Sequence, residues 1–175
     1  MKWEKKHSLE EKVEWKGLAE SDMQPFKAYV NEKTPGVCGT YAAACLTVLM
    51  AKREGVVTQS MDELLKGMES SIEYALPYRG TFYWDVQRGL NNEWKKYGYK
   101  THFNLFSEKV VPGLLEDGVP VVVGTTTALG SPYKNHLLVV YQYAFDSTGK
   151  LWYKAYDNHG SITTVIPAVQ TLCAL

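Results

Sequence analysis

The chain has 175 residues, room for one domain with a sizeable core, and its 45% hydrophobic and 22% charged residues exclude disorder as the default. Lys plus Arg balance Asp plus Glu at 19 each, so there is no electrostatic case for nucleic acid or an anionic membrane as partner. No run reaches the roughly 18 apolar residues of a membrane-crossing helix, and three cysteines in spacings that fit neither a zinc site nor a CxxC pair exclude a disulfide framework and require no metal or other cofactor.

Residues 1–31 read as a polar, peripheral segment in which Trp3, Leu9, Val13 and Trp15 can lean on a core. Charged and apolar residues alternate from Met1 to Leu18, leaving no apolar stretch of signal-peptide type. The expected place is the cytoplasm, or the cell surface or exterior if a leader has been trimmed away. Thr34-Pro35-Gly36 is a break. From Cys38 to Arg53 the apolar stripe Ala42, Cys45, Leu46 and Leu49 predicts a helix ended by Gly55. Residues 58–69 predict a short surface helix capped by Ser60, with Glu63 three residues on. Asp85–Tyr97 is a third helix ending at Gly98, and Lys100–Leu105 a strand. Ser107–Glu116 is a fourth helix despite Pro112-Gly113 inside it. Pro120–Gly124 is a short buried strand. His136–Phe145 and Leu151–Asp157 are predicted to form an antiparallel pair around Asp146-Ser147-Thr148-Gly149. Helices come first and an antiparallel sheet afterwards, so the fold class is α+β, with residues 1–175 as a single domain. The 12 Tyr and 5 Trp, Tyr83 and Trp84 among them, suit core packing; lining a substrate cleft is the alternative.

Cys38 follows a Pro-Gly break and opens a helix. The first turn of a helix has free N–H groups and a partial positive charge, which can lower a thiol toward the thiolate at neutral pH. Gly39 removes a side chain beside the sulfur, where a substrate carbonyl can approach. A cysteine in an apolar helix is also an ordinary packing residue, the reading that suits Cys45, in mid-helix; Cys173 has no interpretable context. His136 begins an apolar strand after the polar loop 130–135, so it is rigidly held at a sheet rim, as a general base must be; a strand-end histidine satisfied by loop carbonyls is the alternative. If Phe145 pairs with Lys150, Leu138 lies opposite Asp157, and His136 and Asp157 become diagonal neighbours. Asp157 then holds the imidazole tautomer; a slip of one residue gives that place to Asn158. His159, two residues on, reads as a solvent-exposed turn position or as a substitute base. A metal site from His136, Asp157 and His159 lacks a fourth ligand at sensible spacing.

These residues resemble a known family. Gly36-Val37-Cys38-Gly39-Thr40-Tyr41-Ala42 is similar to the nucleophile segment of papain-like cysteine peptidases, in particular the bacterial branch resembling bacteriocin-leader-processing, transporter-associated peptidases. Asn135-His136-Leu137-Leu138-Val139-Val140-Tyr141 resembles its histidine strand. Tyr156-Asp157-Asn158-His159-Gly160 resembles its Asp/Asn turn, and Leu114–Val123 the helix-Gly-Pro-strand before the histidine loop. The resemblance covers residues 34–166. It implies a papain-like fold, with a helical N-terminal part and a buried nucleophile helix packed on a C-terminal antiparallel sheet. It implies hydrolysis of peptide bonds in a peptide or protein substrate, through a Cys38-His136-Asp157 triad and a thioester acyl-enzyme. The family's oxyanion Gln, about six residues before the cysteine, is Glu32 here. An ionised carboxylate cannot donate a hydrogen bond, which leaves Asn31, Gln24, Asn158 or the Cys38 N–H to support the site. Two other readings stay open: a catalytically degenerate peptide-binding or interaction domain, for which Glu32 argues, and an amide-cleaving or acyl-transfer enzyme acting on cell-wall peptide.

Overall fold

The computed structural model describes residues 9, 12–31, 36–74 and 80–175. Trp3, His7, Glu32, Thr34 and Pro35 lie outside the described residues.

The chain runs β1 (Lys16–Gly17), α1 (Cys38–Glu54), α2 (Met61–Ile72), α3 (Tyr83–Trp94), α4 (Ser107–Glu116), β2 (Val121–Thr125), β3 (His136–Phe145), β4 (Leu151–Tyr156), β5 (Thr164–Pro167) and β6 (Thr171–Ala174). The architecture is mixed α and β. One antiparallel sheet has the order β5-β4-β3-β2-β6, with β1 added beside the far half of β3. Helices α1 to α3 pack on one face, against Val122, Leu137, Val139, Tyr141 and Tyr156. Helix α4 covers the other, where Val111 and Leu115 meet Val121, Val123, Leu138, Val140 and Tyr153. Because β3 is covered on both sides, its sequence is a continuous apolar run rather than an alternating one. No helix among the described residues is long and apolar enough to cross a membrane.

Local signals set several boundaries. The Ser60 side chain accepts from the Glu63 N–H while the Glu63 carboxylate accepts from the Ser60 N–H, so α2 begins at Met61 as its capping box requires. Gly55 takes a left-handed conformation (φ 64°) and closes α1. Helix α4 tolerates Pro112.

Three expectations are corrected. Lys100–Leu105 forms no strand; only Asn104 bridges to Ala174, because the sheet edge at β2 is taken by β6. Residues 12–31 are not peripheral throughout: Met23 and Phe26, on a 3-10 helix over Glu20–Ala28, enter the core, and the Tyr156 hydroxyl donates to the Tyr29 carbonyl at 2.6 Å. The hairpin register is also different at its turn. Phe145 pairs with Leu151, not Lys150. A bulge between Val140 and Gln142 then takes up the extra residue, so Val139 faces Tyr156, and continuing that register sets Leu138 opposite Asp157. The turn and the bulge each shift the pairing by one, in opposite senses, and the expected pairing holds at the site.

Candidate functional site

Cys38 is the first residue of α1 and His136 the first of β3. Both line a cavity of about 230 Å³, together with Thr81, Phe82, Tyr83, Gly124, Asn135 and Leu172. The backbone N–H groups of Leu137, Gly39 and Cys38 itself favour the charged form of the Cys38 sulfur. Those of Cys38 and Gly39 belong to the first turn of α1 and have no acceptor within the helix. The sulfur thus sits among donors that can serve an anion on it or beside it.

His136 is buried, and its Nε2 lies 2.7 Å from the Asp157 backbone carbonyl. A carbonyl can only accept, so Nε2 carries the proton and Nδ1 is the nitrogen with the lone pair. The His159 ring packs at 4.4 Å from that of His136, and Tyr133 stacks at 6.5 Å. His159 is therefore half-buried against His136, not the exposed turn residue expected.

Asp157 holds the imidazole through its main chain, where the triad reading expected its carboxylate. That carboxylate accepts from the N–H of His159 and Ser161, each at 2.9 Å, and from the Thr164 hydroxyl at 2.7 Å. It builds the turn that presents the carbonyl. Asn158 is fully buried at φ 45°, its Nδ2 donating to the Leu137 carbonyl at 2.9 Å. Its Oδ1 has no hydrogen-bond partner among the described residues. Asn158 braces the histidine strand and is not at the oxyanion position. Asn31 is buried and ties its N–H to the Asn158 carbonyl at 3.0 Å, away from the cavity lining; Gln24 is exposed on the 3-10 helix. The Glu32 expectation lies outside the described residues.

Electrostatics correct the expectation of a resting thiolate. Burial pushes the Cys38 thiol up to about 11, with the Leu137 N–H pulling it back and the Glu73 carboxyl adding to the rise. Burial pushes His136 down to about 3, against the pull of the Asp157 carbonyl, and His159 adds to the drop. Both shifts favour the uncharged thiol and the uncharged imidazole over the ion pair. Burial alone raises Cys45, fully buried in mid-helix, well above the ordinary thiol value, and burial raises Cys173 to about 11 against the pull of the Tyr83 hydroxyl.

Two glycines shape the cleft. A Cβ on Gly39 would lie 2.1 Å from Thr81 Cγ2 and 3.0 Å from Val86 Cγ2, so this glycine lets α1 approach the start of α3; substrate access is not the reason for it. A Cβ on Gly124 would lie 2.2 Å from the Tyr83 ring, which packs against that strand. Tyr83 therefore lines the cleft, while Trp84 is 52% exposed and stacks on Phe82 at 4.7 Å, so neither is the simple core residue expected. No group of three or more His, Cys, Asp or Glu suited to a metal occurs among the described residues.

No family model and no curated protein sequence matches the chain.

Sequence reasoning missed Glu73, a buried carboxyl that accepts from the Thr40 N–H at 3.1 Å and the Thr40 hydroxyl at 2.8 Å. Nothing near Glu73 in sequence signals this, since Thr40 is 33 residues away.

Proposed function

We propose that the chain is a papain-like thiol hydrolase that cleaves peptide bonds, with Cys38 as nucleophile and His136 as base. The observation that carries this reading is the shared cavity: a cysteine at a helix start and a histidine at a strand start line it, with the histidine's Nε2 held by a carbonyl. In the reaction the Cys38 sulfur attacks the peptide carbonyl carbon as its proton passes to His136 Nδ1. The carbonyl becomes an oxyanion within reach of first-turn N–H groups of α1. Nδ1 then gives the proton to the leaving amine, the C–N bond breaks, and a thioester remains on Cys38. Water, deprotonated by Nδ1, hydrolyses it. Because both shifts favour the uncharged forms, the ion pair exists only along the reaction path. The Asp157 carboxylate supports the turn and the Asp157 carbonyl the tautomer, so the aspartate orients the base through its backbone.

A direct test is intact-mass measurement after mixing the protein with an activated peptide ester. The expected result is a gain of one acyl group on the wild type and none on Cys38→Ala. A crystal structure with more than about 6 Å between the sulfur and Nδ1 would sink the reading, since proton transfer needs hydrogen-bond reach or one bridging water.

One feature favours a second reading, a peptide-binding domain without catalysis: burial disfavours the charged forms of both Cys38 and His136. Peptide binding by calorimetry with no acyl adduct from any ester would select it.

A further inference from the structure

Glu73 sits at the C-terminal end of α2, its N–H bonded to the Glu69 carbonyl. Its Oε1 accepts from the Thr40 N–H and hydroxyl in the first turn of α1. Its Oε2 lies 2.5 Å from the Thr81 Oγ1, and the same Thr81 oxygen lies 2.9 Å from the Gly36 carbonyl. A carbonyl can only accept, and a hydroxyl has one proton to give. With the Thr81 proton on the Gly36 carbonyl, the contact between Thr81 and Glu73 needs a proton on Glu73.

We propose that Glu73 is a positioning residue for Cys38, held as a protonated carboxylic acid that donates to Thr81 while Thr81 donates to Gly36. This rests on the reading of Cys38 as the nucleophile. The chain of bonds spans the site: Gly36 and Thr40 flank Cys38, and Thr81 is part of the cavity wall. Glu73 thereby ties the loop before the nucleophile, the first turn of its helix and the wall opposite into one unit.

The surroundings favour the neutral form. Glu73 is 7% exposed, and burial raises its pKa from the ordinary carboxylate value, partly offset by the Thr40 hydrogen bonds. The negative end of α2 disfavours a charge there, against the positive end of α1. The titratable groups facing it, among the described residues, are Cys38 from α1, Tyr74 beyond α2 and Asp85 from α3, whose carboxylate is paired with Arg88 at 2.9 Å. An ionised Glu73 would repel a thiolate forming at Cys38; a protonated one leaves it alone.

Glu73→Gln tests this, because a glutamine amide accepts through its oxygen and donates through its nitrogen as the protonated acid does. At about pH 4, where Glu73 is largely protonated even in the unfolded chain, Glu73→Gln should melt within about 2 °C of the wild type, while Glu73→Ala should melt at least about 4 °C lower. Iodoacetamide at pH 7, followed by peptide mapping, should label Cys38 in Glu73→Gln within about twofold of the wild-type rate. The wild type should lose stability relative to Glu73→Gln as the pH rises from the ordinary carboxylate range of about 4 through the raised pKa of Glu73, since a raised acid stabilises the fold only while protonated. The proposal is overturned if Glu73→Gln melts as low as Glu73→Ala, or labels Cys38 at least about fivefold faster than the wild type at pH 7. The first result means that a neutral donor–acceptor does not replace the carboxyl, the second that the carboxyl is ionised at pH 7. Should Glu73→Ala fail to fold, the comparison of Glu73→Gln with the wild type decides alone. Melting and labelling need no substrate, so a wild type that forms no acyl adduct would end the hydrolase reading and leave this result readable.

Discussion

Asp146 and Asp157 flank β4, one in the turn from β3 and the other in the turn to β5, and build the same kind of turn. Asp146 accepts from the N–H groups of Thr148 and Lys150, from the Thr148 hydroxyl at 2.6 Å and from the Trp152 indole N–H at 2.8 Å. Asp157 accepts from the N–H groups of His159 and Ser161 and from the Thr164 hydroxyl. Both carboxylates organise the four residues that follow them. Their surroundings differ. Asp146 lies at the solvent edge, and the Thr148 and Trp152 donors pull its pKa well below the carboxylate range. Asp157 is buried beside two histidines, and its turn aims a carbonyl at His136. The same local chemistry makes a stable turn in one place and a support for His136 in the other, because only one of them meets the cavity shared with Cys38.

The sharpest way to break this comparison is at the base. His136→Ala should lower acyl-enzyme formation by roughly 10²–10⁴-fold, the usual contribution of a positioned base, measured with the peptide ester. Next comes Asp157. Asp157→Ala removes the acceptor of three hydrogen bonds within a buried turn, and should lower the melting temperature by about 4 °C or more and slow acylation with it. Asp157→Asn keeps one oxygen for the two N–H groups, and the carbonyl that holds His136 is untouched. It should cost acylation far less than the roughly 10⁴-fold expected where a carboxylate itself holds the imidazole. A loss of that full size in Asp157→Asn would return the orienting role to the side chain.

Gly124→Ala sharpens the picture of the cleft. The new methyl meets the Tyr83 ring, and moving a packed aromatic costs about 1–3 kcal/mol by melting, with weaker peptide binding because Tyr83 lines the cavity. The pH dependence of Cys38 labelling follows from its raised pKa. The rate should climb about tenfold per unit from pH 7 to pH 9, since the thiolate fraction of a group at about 11 rises by that factor; a plateau below pH 7 would show a resting thiolate instead. The smallest effect belongs to Asp146→Asn. A depressed carboxylate stabilises the fold above its unfolded pKa of about 4 and loses that contribution as the pH falls through the folded value. Asp146→Asn should therefore melt slightly below the wild type at pH 7, approach it on acidification, and acylate at the wild-type rate.

Local signals in the sequence determined the elements whose causes are themselves local: the capping box at Ser60 and Glu63, the left-handed glycine after α1, the unbroken apolar run of β3. They also determined which residues open the elements of the site, because a break before Cys38 and a polar loop before His136 are readable in order. Long-range contacts escaped. The β6 strand claimed the edge beside β2, the bulge in β3 restored a register that the turn had shifted, and the 3-10 helix carrying Met23 and Phe26 entered the core, none of them set by neighbours in the chain. The charge states of Cys38 and His136 were decided by tertiary structure as well. A helix start favours a thiolate, but burial of the sulfur pushes the other way, since desolvation depends on everything packed around a group and not on its place along the chain.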